Sequence, residues 1–189
     1  MTGKEVCIDM KEIRLHGRGG QGVVKAAHVI VKSIVRDGGY AQFIPFFGVE
    51  RKGSPVCGYL RIDDRDIRVK TQVYTPDILL VLDDSLLTDP QVFEGFKPEG
   101  TLILNTAKPV EELALPFIPH CLATVDATKI CLDALDVNIP NTVMLGAFSR
   151  ATGLVRMERL LPEIEDVFGE KNVALALEGS QKTRICTEG

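Results

Sequence analysis

Gly17, Gly19 and Gly22 fall at the spacing G-x-G-x-x-G within His16-Gly17-Arg18-Gly19-Gly20-Gln21-Gly22-Val23. The chemistry such a turn offers is anion binding. Its backbone N–H groups close on a phosphate at a helix N-terminus, where the peptide dipoles favour negative charge. Glycine suits the role because a Cβ obstructs both a positive-φ turn and the approach of a ligand. Cations collect nearby: Arg14, His16 and Arg18 flank the turn, and Arg51-Lys52 follows the next apolar stretch. In a doubly wound sheet, loops at the C-terminal ends of neighbouring strands open into one crevice. The two basic loops are therefore expected to converge on one anion site. The competing reading is that Arg18 and Arg51 form surface ion pairs or hold a partner subunit.

A dinucleotide site also needs a carboxylate at the end of the second strand, for the ribose hydroxyls. Here that strand ends in Phe46-Phe47-Gly48, Asp37 comes too early, and no acid follows before Glu50. A freestanding NAD enzyme is thereby disfavoured. No catalytic constellation is expected, because His16, His28 and His120 lack a serine or cysteine nucleophile arranged with them. His120, beside Cys121, reads as structural, and Asp63-Asp64-Arg65-Asp66 as a solvated turn. Asp83-Asp84 either touches the crevice or caps the following helix. Cys7, Cys57, Cys121, Cys131 and Cys186 show no zinc or iron–sulfur spacing and read as buried thiols, so no metal site is expected. If this protein takes part in electron transfer, the clusters sit on another chain.

The turn needs a strand before it and a helix after it. A strand is expected at 12–15 and a helix over 21–36, stopped by Gly38-Gly39. On that helix Val23, Val24, Ala27, Ile30, Val31, Ile34 and Val35 make an apolar face; Lys25, His28, Lys32 and Arg36 make an opposite stripe, read as solvated. Strands follow at 40–47 and 56–62, then a hairpin turn into a short strand at 67–70. The continuous apolar runs 77–82 and 101–105 suit parallel strands covered on both faces, and 122–126 adds another. Helices are expected from 127, from 140 to 150 with a stop at Gly153, over 157–168 with Pro162 kinking it or starting a new one, and over 172–179. This order is α/β: a Rossmann-like doubly wound, mostly parallel sheet with a small antiparallel ribbon and C-terminal helices.

The whole chain, 1–189, reads as a single domain, long enough to bury a proper core. Its 45% hydrophobic and 25% charged residues are those of an ordinary soluble protein. A formal net charge of -4 argues against nucleic acid or a membrane surface as partner. No run approaches the roughly 18 apolar residues of a membrane helix. The first residues show no apolar leader, so a cytoplasmic location is expected.

The run from His16 to Val23, followed by Phe47-Gly48-Val49-Glu50-Arg51-Lys52-Gly53-Ser54-Pro55-Val56, resembles the gamma subunit of 2-oxoacid:ferredoxin oxidoreductases, of which pyruvate synthase is an example. Thr75-Pro76-Asp77-Ile78 and Asn141-Thr142-Val143-Met144-Leu145-Gly146-Ala147 fit further segments of that family. Lys52 departs from the second arginine common there and offers only a point charge. The resemblance implies a subunit, inactive alone, of a complex that oxidatively decarboxylates a 2-oxoacid to acyl-CoA and reduces ferredoxin. It implies that thiamine diphosphate and iron–sulfur clusters sit on partner alpha, beta and delta-type subunits, with coenzyme A as co-substrate. On this reading Gly17, Arg18, Gly19, Gly20, Gln21, Gly22, Glu50, Arg51 and Lys52 border the coenzyme A crevice. The alternatives are a stand-alone nucleotide- or CoA-binding regulatory module and a purely architectural subunit.

Overall fold

The computed structural model describes residues 9–46 and 53–187. Seven strands form one sheet in the order β2-β3-β1-β4-β5-β6-β7. Their ranges are β1 (Lys11–Arg18), β2 (Tyr40–Phe46), β3 (Pro55–Asp63), β4 (Ile78–Val81), β5 (Thr101–Asn105), β6 (Cys121–Val125) and β7 (Arg184–Thr187). β1, β4, β5 and β6 pair in parallel and form the centre. β3 and β2 extend it antiparallel on one side, so the antiparallel ribbon is made with β2 and not with the expected strand at 67–70, and β7 adds an antiparallel edge on the other.

One feature of this sheet goes beyond the sequence reading and one differs from it. β3 lies between β1 and β2, so the first two strands of the chain are not neighbours. β1 also runs further than expected, through Gly17, which pairs with Val56, to Arg18 opposite Pro55. Pairing along β3 here overrides the turn preference of glycine. Because β2 and β1 are both antiparallel to β3, their C-terminal ends still reach the same rim of the sheet.

Side chains alternate across the strands, and the alternation sorts the molecule into two layers. Ile13, Leu15, Leu60, Ile62, Ile78, Leu80, Ile103 and Ala123 face a core shared with all five helices. These are α1 (Val23–Arg36), α2 (Ala127–Leu135), α3 (Asn141–Thr152), α4 (Met157–Phe168) and α5 (Glu170–Lys182). Leu79, Val81, Leu102, Leu104 and Leu122 face the other way, against Leu86, Leu87, Val92 and Phe96. That second layer is built from short 3-10 turns at Asp84–Thr88 and Pro90–Val92 and from irregular chain, where a doubly wound sheet would carry α-helices. No strand forms at 67–70. The segment beyond Asp63 instead crosses the sheet, where Thr71 and Gln72 carbonyls accept hydrogen bonds from Arg61.

The cationic stripe of α1 is exposed at Lys25, His28, Lys32 and Arg36, as expected of a solvated face, and it also borders α4. Lys32 pairs with Asp166, Arg36 with the fully buried Glu163, and Lys25 lies over the ring of Phe168, so the edge of the stripe touches α4 while its side chains keep contact with water. His28 sits edge-on to Phe43, while Val35, expected on the apolar face, is exposed. α4 runs unbroken through Pro162, with Leu160 and Ile164 buried on either side of it. α3 and α5 approach very closely: a Cβ added at Gly146 would lie 1.9 Å from the Ala176 carbonyl oxygen, and one at Gly179 would lie 2.2 Å from that of Val143. Of the described cysteines only Cys131 is buried; Cys186 is exposed because β7 is an edge strand. Cys7 lies outside the described residues.

Candidate functional site

The glycine turn sits where β1 gives way to α1. Gly19 is tied to the neighbouring segment by backbone: its N–H donates to Ser54 O (2.8 Å), and Gly53 N–H donates to Gly19 O (3.1 Å). Thus the turn meets the residues that directly follow 47–52. Phe47, Glu50, Arg51 and Lys52 themselves lie outside the described residues.

Gln21 organises the turn from within. Its Oε1 accepts from Arg18 N–H (2.8 Å) and its Nε2 donates to Asp83 Oδ2 (2.9 Å). Arg18 extends across the same carboxylate, with Nε 3.3 Å from Asp83 Oδ2, Nη2 2.7 Å from Ser85 Oγ and Nη1 3.2 Å from Gly53 O. Asp83 both touches the turn and caps the 3-10 turn after β4, accepting from Ser85 N–H at 3.1 Å. Partial burial alone would raise its pKa. Hydrogen bonds from Ser85 and Gln21 and the charge of Arg18 prevail, and hold it below the usual carboxylate value.

α1 begins at Gly22, which adopts φ 78° and supplies no side-chain cap. A Cβ at Gly22 would lie 2.3 Å from Nδ2 of Asn141, at the start of α3. Asn141 is 2% exposed and its Nδ2 has no hydrogen-bond partner among the described residues. The first N–H groups of α1 are therefore free of side-chain caps at a rim crowded by backbone and one amide, the arrangement that accepts an anion. The neighbouring helix start is different. At α2, Asn105 Oδ1 accepts from Ala127 N–H (2.9 Å) and Thr128 N–H (3.2 Å), and Asp126 accepts from Lys129 N–H. Helix α2 is capped by side chains, whereas α1, like α3, α4 and α5, has no side-chain cap.

Gly17, Arg18, Gly19, Gly20, Gln21 and Gly22 are thus gathered at one rim. Gly17 belongs to the strand. Arg14 and His16, expected to flank the turn, are buried on the face away from the helices. Desolvation, reinforced by the Arg14 charge, lowers the His16 pKa to about 3. His120 is exposed. Sequence alone assigns neither Ser85 nor Asn141 to the site, and offers Asp83 there only as one of two alternatives. The Asp83-Asp84 pair was the available signal for Asp83; Asn141 came only as part of a family segment. Among the described residues, no three His, Cys, Asp or Glu side chains gather closely enough to hold a metal ion. No helix among them is long and apolar enough to cross a membrane.

The fold defines the class of protein: an α/β sheet whose glycine turn leads from a central parallel strand into a helix at the C-terminal rim. The chain belongs to the pyruvate ferredoxin/flavodoxin oxidoreductase family, whose model matches residues 12–182, and it is a gamma subunit of the 2-oxoacid:ferredoxin type. The pyruvate/ketoisovalerate oxidoreductases common subunit gamma of Pyrococcus abyssi is 49% identical over 182 residues, 93% of this chain and 98% of that one. Pyruvate oxidoreductase subunit PORC of Thermotoga maritima superposes with a TM-score of 0.83 at 33% identity, over 94% of this chain and 99% of that one. The fold also recurs within a 2-oxoglutarate:ferredoxin oxidoreductase of Magnetococcus marinus, solved with 2-oxoglutarate, coenzyme A and succinyl-CoA bound. There the TM-score is 0.71 at 19% identity, over 93% of this chain and 30% of that one, a likeness of fold alone. A stand-alone regulatory module is not favoured, since the relatives are subunits of multisubunit enzymes.

Proposed function

We propose that this gamma subunit forms one wall of the crevice by which coenzyme A reaches the active centre of its complex, and that it turns over nothing alone. The observation that carries this is the uncapped N-terminus of α1 beside Gly19–Gly22, at the rim shared by β1, β3 and β4. Phosphate is a natural occupant of such N–H groups. Gly17, Arg18, Gly19, Gly20, Gln21 and Gly22 form the turn, and Glu50, Arg51 and Lys52, which directly precede Gly53 in the chain, complete the set of residues assigned to the crevice. Thiamine diphosphate and the iron–sulfur clusters belong to alpha, beta and delta-type partners, and ferredoxin docks on the complex through them. In the overall reaction the 2-oxoacid loses CO2, its acyl group passes to the thiol of coenzyme A, and two electrons leave to ferredoxin. The cytoplasm is the compartment that suits this chemistry.

Removing the charge of Arg18 or Arg51 (Arg18→Gln, Arg51→Gln) in the reconstituted complex is expected to raise the KM for coenzyme A about tenfold, about 1.4 kcal/mol. An architectural reading is favoured by one observation, the engagement of Arg18 with Asp83 and Ser85. It predicts an unchanged KM with weakened subunit association, and that result would displace the coenzyme A role.

A further inference from the structure

The sheet face turned away from the helices holds a cavity of about 580 Å³, walled by Arg14 and His16 of β1, Cys57 and Tyr59 of β3, and Phe46 of β2, and closed by the segments around Tyr74 and Val92. Register explains the wall: Arg14 stands opposite Tyr59 and His16 opposite Cys57, all on one face. Arg14 is only 6% exposed. Its Nη2 donates to the carbonyls of Val92 (2.9 Å) and Glu94 (2.7 Å), and its Nε has no partner among the described residues. Both acceptors are backbone, so neither neutralises the guanidinium. His16 is 9% exposed and its Nε2 is likewise without a partner. Buried polar groups are normally paired, and a buried charge without compensation is costly.

Two carboxylates border the same space. Asp89 is half-buried and its Oδ1 accepts from Gln91 N–H, while Glu94 is exposed. Glu94 reaches Arg14 from an exposed position that water screens, and Asp89 acts on His16 while accepting from Gln91 N–H, so Arg14 is the group of the cavity placed to attract an anion. At the mouth, Phe46 (55% exposed) and Tyr74 (63%) offer apolar surface, with Tyr59 tilted against Phe46. Cavities of roughly 300–1,000 Å³ with apolar walls and a few fixed polar groups are the usual seats of small molecules.

We propose that this cavity binds a small organic carboxylate with an apolar or aromatic body, its carboxylate on Arg14 beside His16 and its body against Tyr59, Phe46 and Tyr74. The inference does not rest on the coenzyme A reading, because none of its residues belongs to the glycine turn.

The test titrates the full chain with benzoate, its neutral isostere benzamide, and acetate, by calorimetry and by the imidazole nitrogen signals of His16. Benzoate is expected to saturate the site and to bind roughly tenfold or more tightly than benzamide, with acetate weaker than benzoate. Arg14→Gln should abolish the preference for the acid. Should that variant fail to fold, Tyr74→Asp carries the test, since the residue is exposed; it should weaken benzoate by about tenfold or more. Equal binding of benzoate and benzamide, no saturable shift at His16, or unaltered benzoate affinity in folded Tyr74→Asp would each overturn the proposal.

Discussion

His16 shows how one buried side chain ties the sheet to pH. Desolvation, then the Arg14 charge, disfavours its protonation, with Asp89 opposing, and its pKa drops to about 3. In the unfolded chain histidine titrates near 6.5. A group whose folded pKa is depressed binds fewer protons when folded, so its contribution is whole above about pH 6.5 and is lost progressively as pH falls toward 3. The expected loss between pH 7.5 and 5 is about 2 kcal/mol, and it should vanish in His16→Gln. Urea unfolding of both proteins at the two pH values checks this. Identical pH dependence in the two would mean that His16 is not held neutral. Asn141 makes the complementary point, since a polar amide packed against the Cα of Gly22 leaves that position to glycine on two grounds, φ and space.

Among the elements, α3 and α5 are the most closely apposed, because glycines meet carbonyls across the contact. Alanine is the better helix former by about 1 kcal/mol, so propensity alone predicts that Gly146→Ala or Gly179→Ala stabilises. The overlap with Ala176 or Val143 oxygen outweighs that gain, because the helices must move apart and the core between them loosens. Each substitution should cost roughly 3 kcal/mol, seen as a lower denaturant midpoint at unchanged slope. A midpoint equal to or above that of the unsubstituted chain would show that the helices adjust freely. α1 and α4 are joined differently, through the Arg36–Glu163 contact, an ion pair by proximity in which neither carboxylate oxygen receives an aligned hydrogen bond.

At the scale of the whole molecule, the chain is expected to show no 2-oxoacid oxidation by itself with thiamine diphosphate, coenzyme A and a viologen acceptor; turnover in that assay would contradict a subunit role. The parallel centre was legible because β4 and β5 are uninterrupted apolar runs, and Gly153 and Gly169 mark the ends of α3 and α4. The insertion of β3 was not legible, since local alternation says that a strand is half-buried but not which partner it takes. β7 is short and exposed, held only by β6, and carries no pattern of its own. In the site, glycine spacing exposed the turn, whereas Asp83, Ser85 and Asn141 reach it from distant segments that only folding brings near. Alternation along Ile13-Arg14-Leu15-His16 already implied that Arg14 and His16 share a face, which the clustering of cations near the turn obscured. The threading of β3 also bears on timing. β1 must recruit β3 and β4 from well downstream, and the entropy of closing those loops is met before either pairing is rewarded. During synthesis, therefore, the rim that carries the glycine turn stays unassembled until Asp83 has emerged, because Gln21 and Arg18 find their shared carboxylate only then.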